Sequence, residues 1–201
     1  MEYIKHLSKD KKLVEIIKQQ EPFQLRKQKN VHLHLCASII SQQLSTKVAR
    51  VIYERFLKLY DAEPSPQQVL NTKTEVFRSI GFSNAKASYV HNISRFALEQ
   101  GLDYRKLNKM ENDDLITYLT QIKGVGRWTA EMQLMFTLGR EDVFAVDDLG
   151  IQQAMKGVYK LKNTDIKKLK EKMLNISVQW SPYRTYACLH LWHWKDAVKA
   201  R

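Results

Sequence analysis

Apolar residues recur at three- and four-residue steps through nearly the whole of this 201-residue chain, and that periodicity commits it to helices. Lys11 to Gln20 places Leu13, Ile16 and Ile17 on one face, and His34 to Gln42 carries Leu35, Ile39 and Ile40. Ser45 is expected to cap a helix whose buried face is Val48, Val51, Ile52, Phe56 and Leu59. Ser65 followed by Pro66 opens a short helix to Leu70. Thr72 to Glu75 has the spacing of a capping box, for a helix that Gly81 would stop. Ser83 to Gln100 forms the next helix, ended by Gly101. Asn112 can cap one over Asp113 to Gln121, Thr164 can cap the next-to-last, and Ser181-Pro182 starts the last. Only Val143 to Val146 reads as extended, and no repeat or low-complexity linker interrupts the series. The pattern predicts an all-α fold of about ten helices.

Charge narrows the partner. There are 33 Lys+Arg against 21 Asp+Glu, a net charge of +12. Such an excess suggests a polyanion, most simply nucleic acid, although a merely basic protein would show it too. The most basic segment, Lys156 to Lys172, reads either as a solvated helix face or as a phosphate-facing patch. Two cysteines, Cys36 and Cys188, cannot build a four-thiolate zinc site or an iron–sulfur cluster, and as an intracellular pair they are expected to be reduced. No apolar run approaches the roughly 18 to 20 residues of a membrane span. The N-terminus, Met1 to His6, lacks the apolar block of a signal peptide, so the expected location is the cytoplasm.

The most specific motif is Leu119-Thr120-Gln121-Ile122-Lys123-Gly124-Val125-Gly126-Arg127-Trp128-Thr129-Ala130. One helix runs into a tight turn with two glycines, and a second begins at once. Glycine permits positive φ and a close backbone approach, and a helix N-terminus offers N–H groups to a phosphate oxygen. This is a helix–hairpin–helix, which grips a nucleic-acid backbone without reading sequence; a plain helical hairpin with a glycine cap would look similar. Further on, Asp147 and Asp148 open a helix. Paired acids there are most often an N-cap and a dipole partner. Capping needs only one of them, which leaves the other to face a cleft.

Hairpin, intervening helix and acidic turn resemble the helix–hairpin–helix (HhH-GPD) glycosylase superfamily, whose motif ends in an aspartate placed as Asp148 is. Ser38-Ile39-Ile40-Ser41-Gln42-Gln43-Leu44-Ser45 resembles the element that this family pushes into duplex DNA. Gly126 to Ala130 and the tail Trp180 to Trp192 are similar to its 3-methyladenine DNA glycosylase II branch. The resemblance covers about Leu33 to Trp194. It implies one HhH-GPD unit over residues 1–201 with two helical lobes, 30–114 and 1–29 plus 115–201, and with Asp148 and the hairpin at the cleft.

The implied activity is hydrolytic excision of alkylated purines (3-methyladenine, 7-methylguanine) from damaged double-stranded DNA by a monomeric enzyme. Asp148 would be catalytic. Trp128, Met132 and Trp192 would line the base pocket, Met132 standing where many members have tyrosine. Gln42, Gln43, Leu44 and Ser45, with Gly124, Val125, Gly126 and Thr129, would contact DNA, Gln43 or Leu44 filling the gap left by the flipped base. Bifunctional members carry a Schiff-base lysine where this chain has Trp128, so no lyase step is implied. No cofactor is implied beyond a structural Na+ or K+ on the backbone of Ile122 and Gly124. Lys123 and Ala145 replace prolines common in the family and are expected to loosen both turns. The N-terminal β domain of larger relatives has no counterpart in this sequence. A non-catalytic DNA-binding hairpin module, or a glycosylase for mismatched or deaminated bases, remains as an alternative.

Overall fold

The computed structural model describes residues 1–162 and 165–199, and these form two compact units, residues 27–133 and residues 1–26 with the described residues from 134 onward. The sequence placed the change near residue 115. The structure moves it to 133/134, because the hairpin packs within the unit of residues 27–133.

That unit contains α3 (Val31–Ser41), α4 (Thr46–Leu57), α5 (Pro66–Asn71), α6 (Thr74–Ser79), α7 (Asn84–Glu99), α8 (Tyr104–Leu107), α9 (Asn112–Thr120) and most of α10 (Arg127–Phe136). The other holds α1 (Glu2–Leu7), α2 (Leu13–Ile17), α11 (Leu149–Tyr159), α12 (Ile166–Ser177), a 3-10 turn (Val178–Trp180) and α13 (Arg184–Lys199). Among the described residues there is no strand, so the extended stretch Val143 to Val146 belongs to no sheet. No described helix is long and apolar enough to cross a membrane.

Local capping decides most boundaries. Ser45 and Ser83 accept backbone N–H groups from Val48 and Lys86. Ser65 and Gln68 form a reciprocal capping box ahead of Pro66. Thr72 does not cap: its hydroxyl donates to the Gln68 carbonyl and pairs with the Tyr60 hydroxyl, while Lys73 holds the N-cap position of α6 without a side-chain bond. Asn112 is already helical, and α13 starts at Arg184. Thr164 lies outside the described residues, and Asp165 caps α12. The apolar face of α4 is Ala49, Ile52 and Phe56; Val48 and Val51 are 44% and 40% exposed, since they sit a third of a turn away.

In the unit of residues 27–133, α7 packs against α3, α5 and α6 over a cluster of Phe56, Phe77 and Phe82, with ring centroids 5.3 to 6.0 Å apart. In the other, α13 packs on α2 and α11, and Tyr3 stacks on Tyr186 at 3.9 Å. A buried carboxylate anchors that core. Asp10 accepts from the Lys12 and Leu13 backbone, the Tyr159 hydroxyl, Gln179 Nε2 and Trp180 Nε1. Burial alone would raise its pKa, but these donors together hold it below the usual carboxylate value.

Candidate active site

Asp148 closes a short, tightly fastened loop. The Val143 N–H bonds to Thr185 Oγ1 at 3.0 Å, Gln152 Nε2 to the Val146 carbonyl at 3.0 Å, and the Asp148 N–H to the Ala145 carbonyl at 3.1 Å. Ala145, where the family often has proline, is fully buried, and its carbonyl closes the turn. Asp148 is itself the N-cap of α11: its Oδ1 accepts the Ile151 N–H at 2.8 Å. The sequence left open which of the two acids caps, and expected the other to face a cleft; Asp148 does the capping. Asp147 instead forms an ion pair with Lys170 on α12 at 2.6 Å. Because the helix starts at Leu149, only the residue immediately before it can reach the N3 amide.

The Asp148 Oδ1 also accepts the indole N–H of Trp192, on α13, at 2.8 Å. Trp192 is half-buried, and Phe136 lies beside it with ring centroids 5.9 Å apart. Sequence reasoning had named Trp192 but missed Phe136, Gly150 and Lys170 around the pair. A signal existed for Phe136. Trp128, Met132 and Phe136 follow one another at four-residue steps and share a face of α10, where Trp128 is 40% and Phe136 44% exposed.

The unit of residues 27–133 assembles the other predicted residues. Gly124 takes φ +107°, and an added Cβ would stand 2.3 Å from Tyr89 Cγ, so the Tyr89 ring lies on the hairpin backbone and no other residue fits. Gly126 differs. Its φ is not in the left-handed region, and an added Cβ would meet nothing within 4 Å. Val125 is buried, with its N–H bonded to the Ile122 carbonyl at 2.9 Å. Asn92 Nδ2 donates to the Lys123 carbonyl at 3.1 Å, so the turn has a side-chain tie to α7 at the position where the family often has proline.

Thr129 is 3% exposed, and its hydroxyl accepts from Gln42 Nε2 at 3.4 Å. Its side chain is therefore a strut between the loop after α3 and the first turn of α10; only its backbone can face a ligand. Gln133 reinforces the link by donating to Ser38 Oγ at 2.7 Å, and Lys86 donates to the Ile40 carbonyl at 2.8 Å. On the loop so held, Gln43 is exposed with φ +59°, Leu44 is half-buried and Ser45 caps α4. A glutamine in left-handed backbone is uncommon, and here it is projected to the surface.

No group of three or more His, Cys, Asp or Glu among the described residues could hold a metal ion. Cys36 and Cys188 are free thiols in the core, where burial raises the Cys36 pKa. His32 and His190 are buried and pushed down to about 4 by that burial.

The family described as HhH-GPD superfamily base excision DNA repair protein matches residues 36–179. The Bacillus subtilis protein YfjP is 35% identical over 161 residues, 77% of this chain but 55% of its own length, so the chain spans little more than half of that relative. DNA-3-methyladenine glycosylase 1 of Schizosaccharomyces pombe is 32% identical over 90% of this chain and 80% of its own. The structure of the fission-yeast 3-methyladenine DNA glycosylase Mag1 with abasic DNA superposes with a TM-score of 0.83 at 30% identity, covering 96% of this chain and 95% of that one. A DNA-3-methyladenine glycosidase from Bacillus halodurans gives 0.85 at 35% identity, over 99% and 91% of the two chains. With the family match running over residues 36–179 of 201, this chain belongs to the HhH-GPD superfamily of base excision DNA repair proteins.

Proposed function

We propose that this protein is a monofunctional DNA glycosylase that binds damaged duplex DNA as a monomer, flips out an alkylated purine and hydrolyses its N-glycosidic bond. The observation that carries the reading is Asp148, a carboxylate aimed by two N–H donors, from Ile151 and Trp192, beside an aromatic side chain pair. The names of the relatives, 3-methyladenine glycosylases in fission yeast and B. halodurans, support the substrate class.

A purine methylated at N3 or N7 is cationic. As the bond from C1′ to the base breaks, its electron pair neutralises the base, and positive charge develops on the sugar. Little leaving-group protonation is needed. Asp148, ionised, stabilises that charge and orients a water whose oxygen bonds to C1′ and whose proton is lost to the carboxylate and then to solvent. Trp192 and Phe136 form an aromatic wall for the electron-poor base, and Trp128 and Met132 continue the face of α10 that carries Phe136.

Gly126 lets the hairpin backbone approach a phosphate, and Gln43 fills the vacated stack. A monovalent cation on the carbonyls of Ile122 and Gly124 would be structural. Ile122 already accepts the Val125 N–H, but a carbonyl has a second lone pair. The net charge of +12 supports a DNA-associated protein.

Incubation with methylated duplex, followed by borohydride treatment and a denaturing gel before any alkali, tests the reading. Free 3-methyladenine or 7-methylguanine from an intact strand is expected, because an indole at Trp128 cannot form a Schiff base. A trapped adduct or early nicks would overturn the monofunctional mechanism, and absence of base release would overturn the activity.

A further inference from the structure

The bond between Asp148 and Trp192 depends on a gap at Gly150. A Cβ built there would stand 2.9 Å from Asp148 Oδ1, 3.0 Å from Trp192 Cδ1 and 3.1 Å from Trp192 Nε1. All three atoms belong to the hydrogen bond or adjoin it. The carboxylate oxygen cannot swing away cheaply, because the Ile151 N–H holds it as well. The backbone gives no reason for a glycine. Gly150 is the second residue of α11, its φ is not in the left-handed region, and glycine inside a helix is less favourable than alanine. Room for the indole to reach the carboxylate is the reason the geometry supplies.

We infer that Trp192 and Gly150 are positioning residues for excision: the Trp192 N–H aims the Asp148 carboxylate at the sugar, and Gly150 is the clearance that lets it. This rests on Asp148 being the reacting carboxylate. It gives Trp192 a task separate from its aromatic face. Two donors converging on Oδ1 pin that oxygen, which restrains both rotation of the side chain and its withdrawal. Misplacing a reacting group by about 1 Å costs roughly a hundredfold in rate.

The test uses the full chain, with methylated duplex and enzyme in excess. Two quantities are read: the single-turnover rate of base release, and the Kd for a duplex carrying an uncleavable abasic-site analogue. Gly150→Ala is expected to fold with a somewhat lower melting temperature and to bind the analogue normally, yet to release base roughly a hundredfold more slowly. Trp192→Phe keeps an aromatic face and loses the N–H, so it should slow release similarly. The double variant should be no slower than the worse single one, because both changes break the same bond.

A wild-type rate in Gly150→Ala, a near wild-type rate in Trp192→Phe, or losses that multiply in the double variant would each overturn the inference. If Gly150→Ala fails to fold, Trp192→Phe decides alone through the separation of rate from Kd. Asp148→Asn is the control that separates the two levels. If it excises normally, the functional reading fails and the inference with it; if it is inactive while Gly150→Ala is normal, only the inference fails.

Discussion

Asp147 and Asp148 are adjacent but face different partners: Asp147 reaches Lys170 on α12 at 2.6 Å, whereas Asp148 caps α11 and accepts the Trp192 indole N–H. One peptide unit separates a surface ion pair from the candidate reaction centre.

Their substitutions should therefore diverge. Asp148→Asn is expected to lower single-turnover excision by on the order of 10² to 10³-fold. It should barely move the melting temperature, since asparagine caps a helix as well as aspartate does. Asp147→Asn breaks a partly exposed ion pair worth about 0 to 1 kcal/mol and should leave most activity. Greater loss of excision from Asp147→Asn would reverse the assignment.

The two hairpin glycines should separate stability from binding. Gly124→Ala forces a Cβ into the Tyr89 ring at a φ of +107°, and a destabilisation of about 1 to 3 kcal/mol is expected. Gly126 is exposed and an added Cβ there meets nothing within 4 Å, so Gly126→Val should melt normally while weakening binding to every duplex sequence alike. Binding should also weaken steeply with salt, as counterion release requires. Titrations at several salt concentrations, beside thermal melts, check all of this. Normal DNA affinity in a folded Gly126→Val would remove the hairpin from the interface.

Gln43 should show a trade-off between stability and activity. Glycine relieves its left-handed backbone, at φ +59°, of a strain of about 1 kcal/mol. Gln43→Gly should accordingly melt no lower than the parent, yet excise more slowly from duplex, because nothing fills the stack. Unchanged excision would move the plug to Leu44.

Acid should destabilise the fold in two windows. His32 and His190 are held neutral by burial, pushed down to about 4 from 6.5, whereas the unfolded chain binds protons already near 6.5. Their contribution is complete above that pH and is lost as pH falls towards 4, on the order of 2 to 3 kcal/mol each. Asp10 and Asp142 are lowered below 3.8: burial opposes this, but hydrogen bonds from Trp180 to Asp10 and from Arg184 to Asp142 prevail. They add a second loss below about pH 4. Denaturant unfolding from pH 7 to 3.5 checks the sign, and His32→Gln should flatten the first window. Stability rising on acidification would contradict both.

The parts of the site readable in the sequence are those made by near neighbours. Ser45, Ser65 and Ser83 cap the helices that they precede, and the glycine hairpin announces its own turn. What escaped lies across long separations. Trp192 is 44 residues from the carboxylate that it bonds, and the Asp10 cluster recruits Tyr159, Gln179 and Trp180 from the far end of the chain. Nothing local distinguishes such a tryptophan from a core one. Even the neighbouring acids were separable only by geometry, since the cap belongs to whichever residue directly precedes the first helical turn.

The Tyr89 ring on Gly124 makes the hairpin magnetically visible. With no Cβ present, an α-proton of Gly124 points at the face of the ring, along the direction in which an added Cβ would stand 2.3 Å from Cγ. Circulating π electrons shield a nucleus so placed, and its resonance should fall far upfield of an ordinary glycine. That one line in a proton spectrum reports whether the turn is seated on its ring, without label or ligand, and it should vanish in Tyr89→Ala.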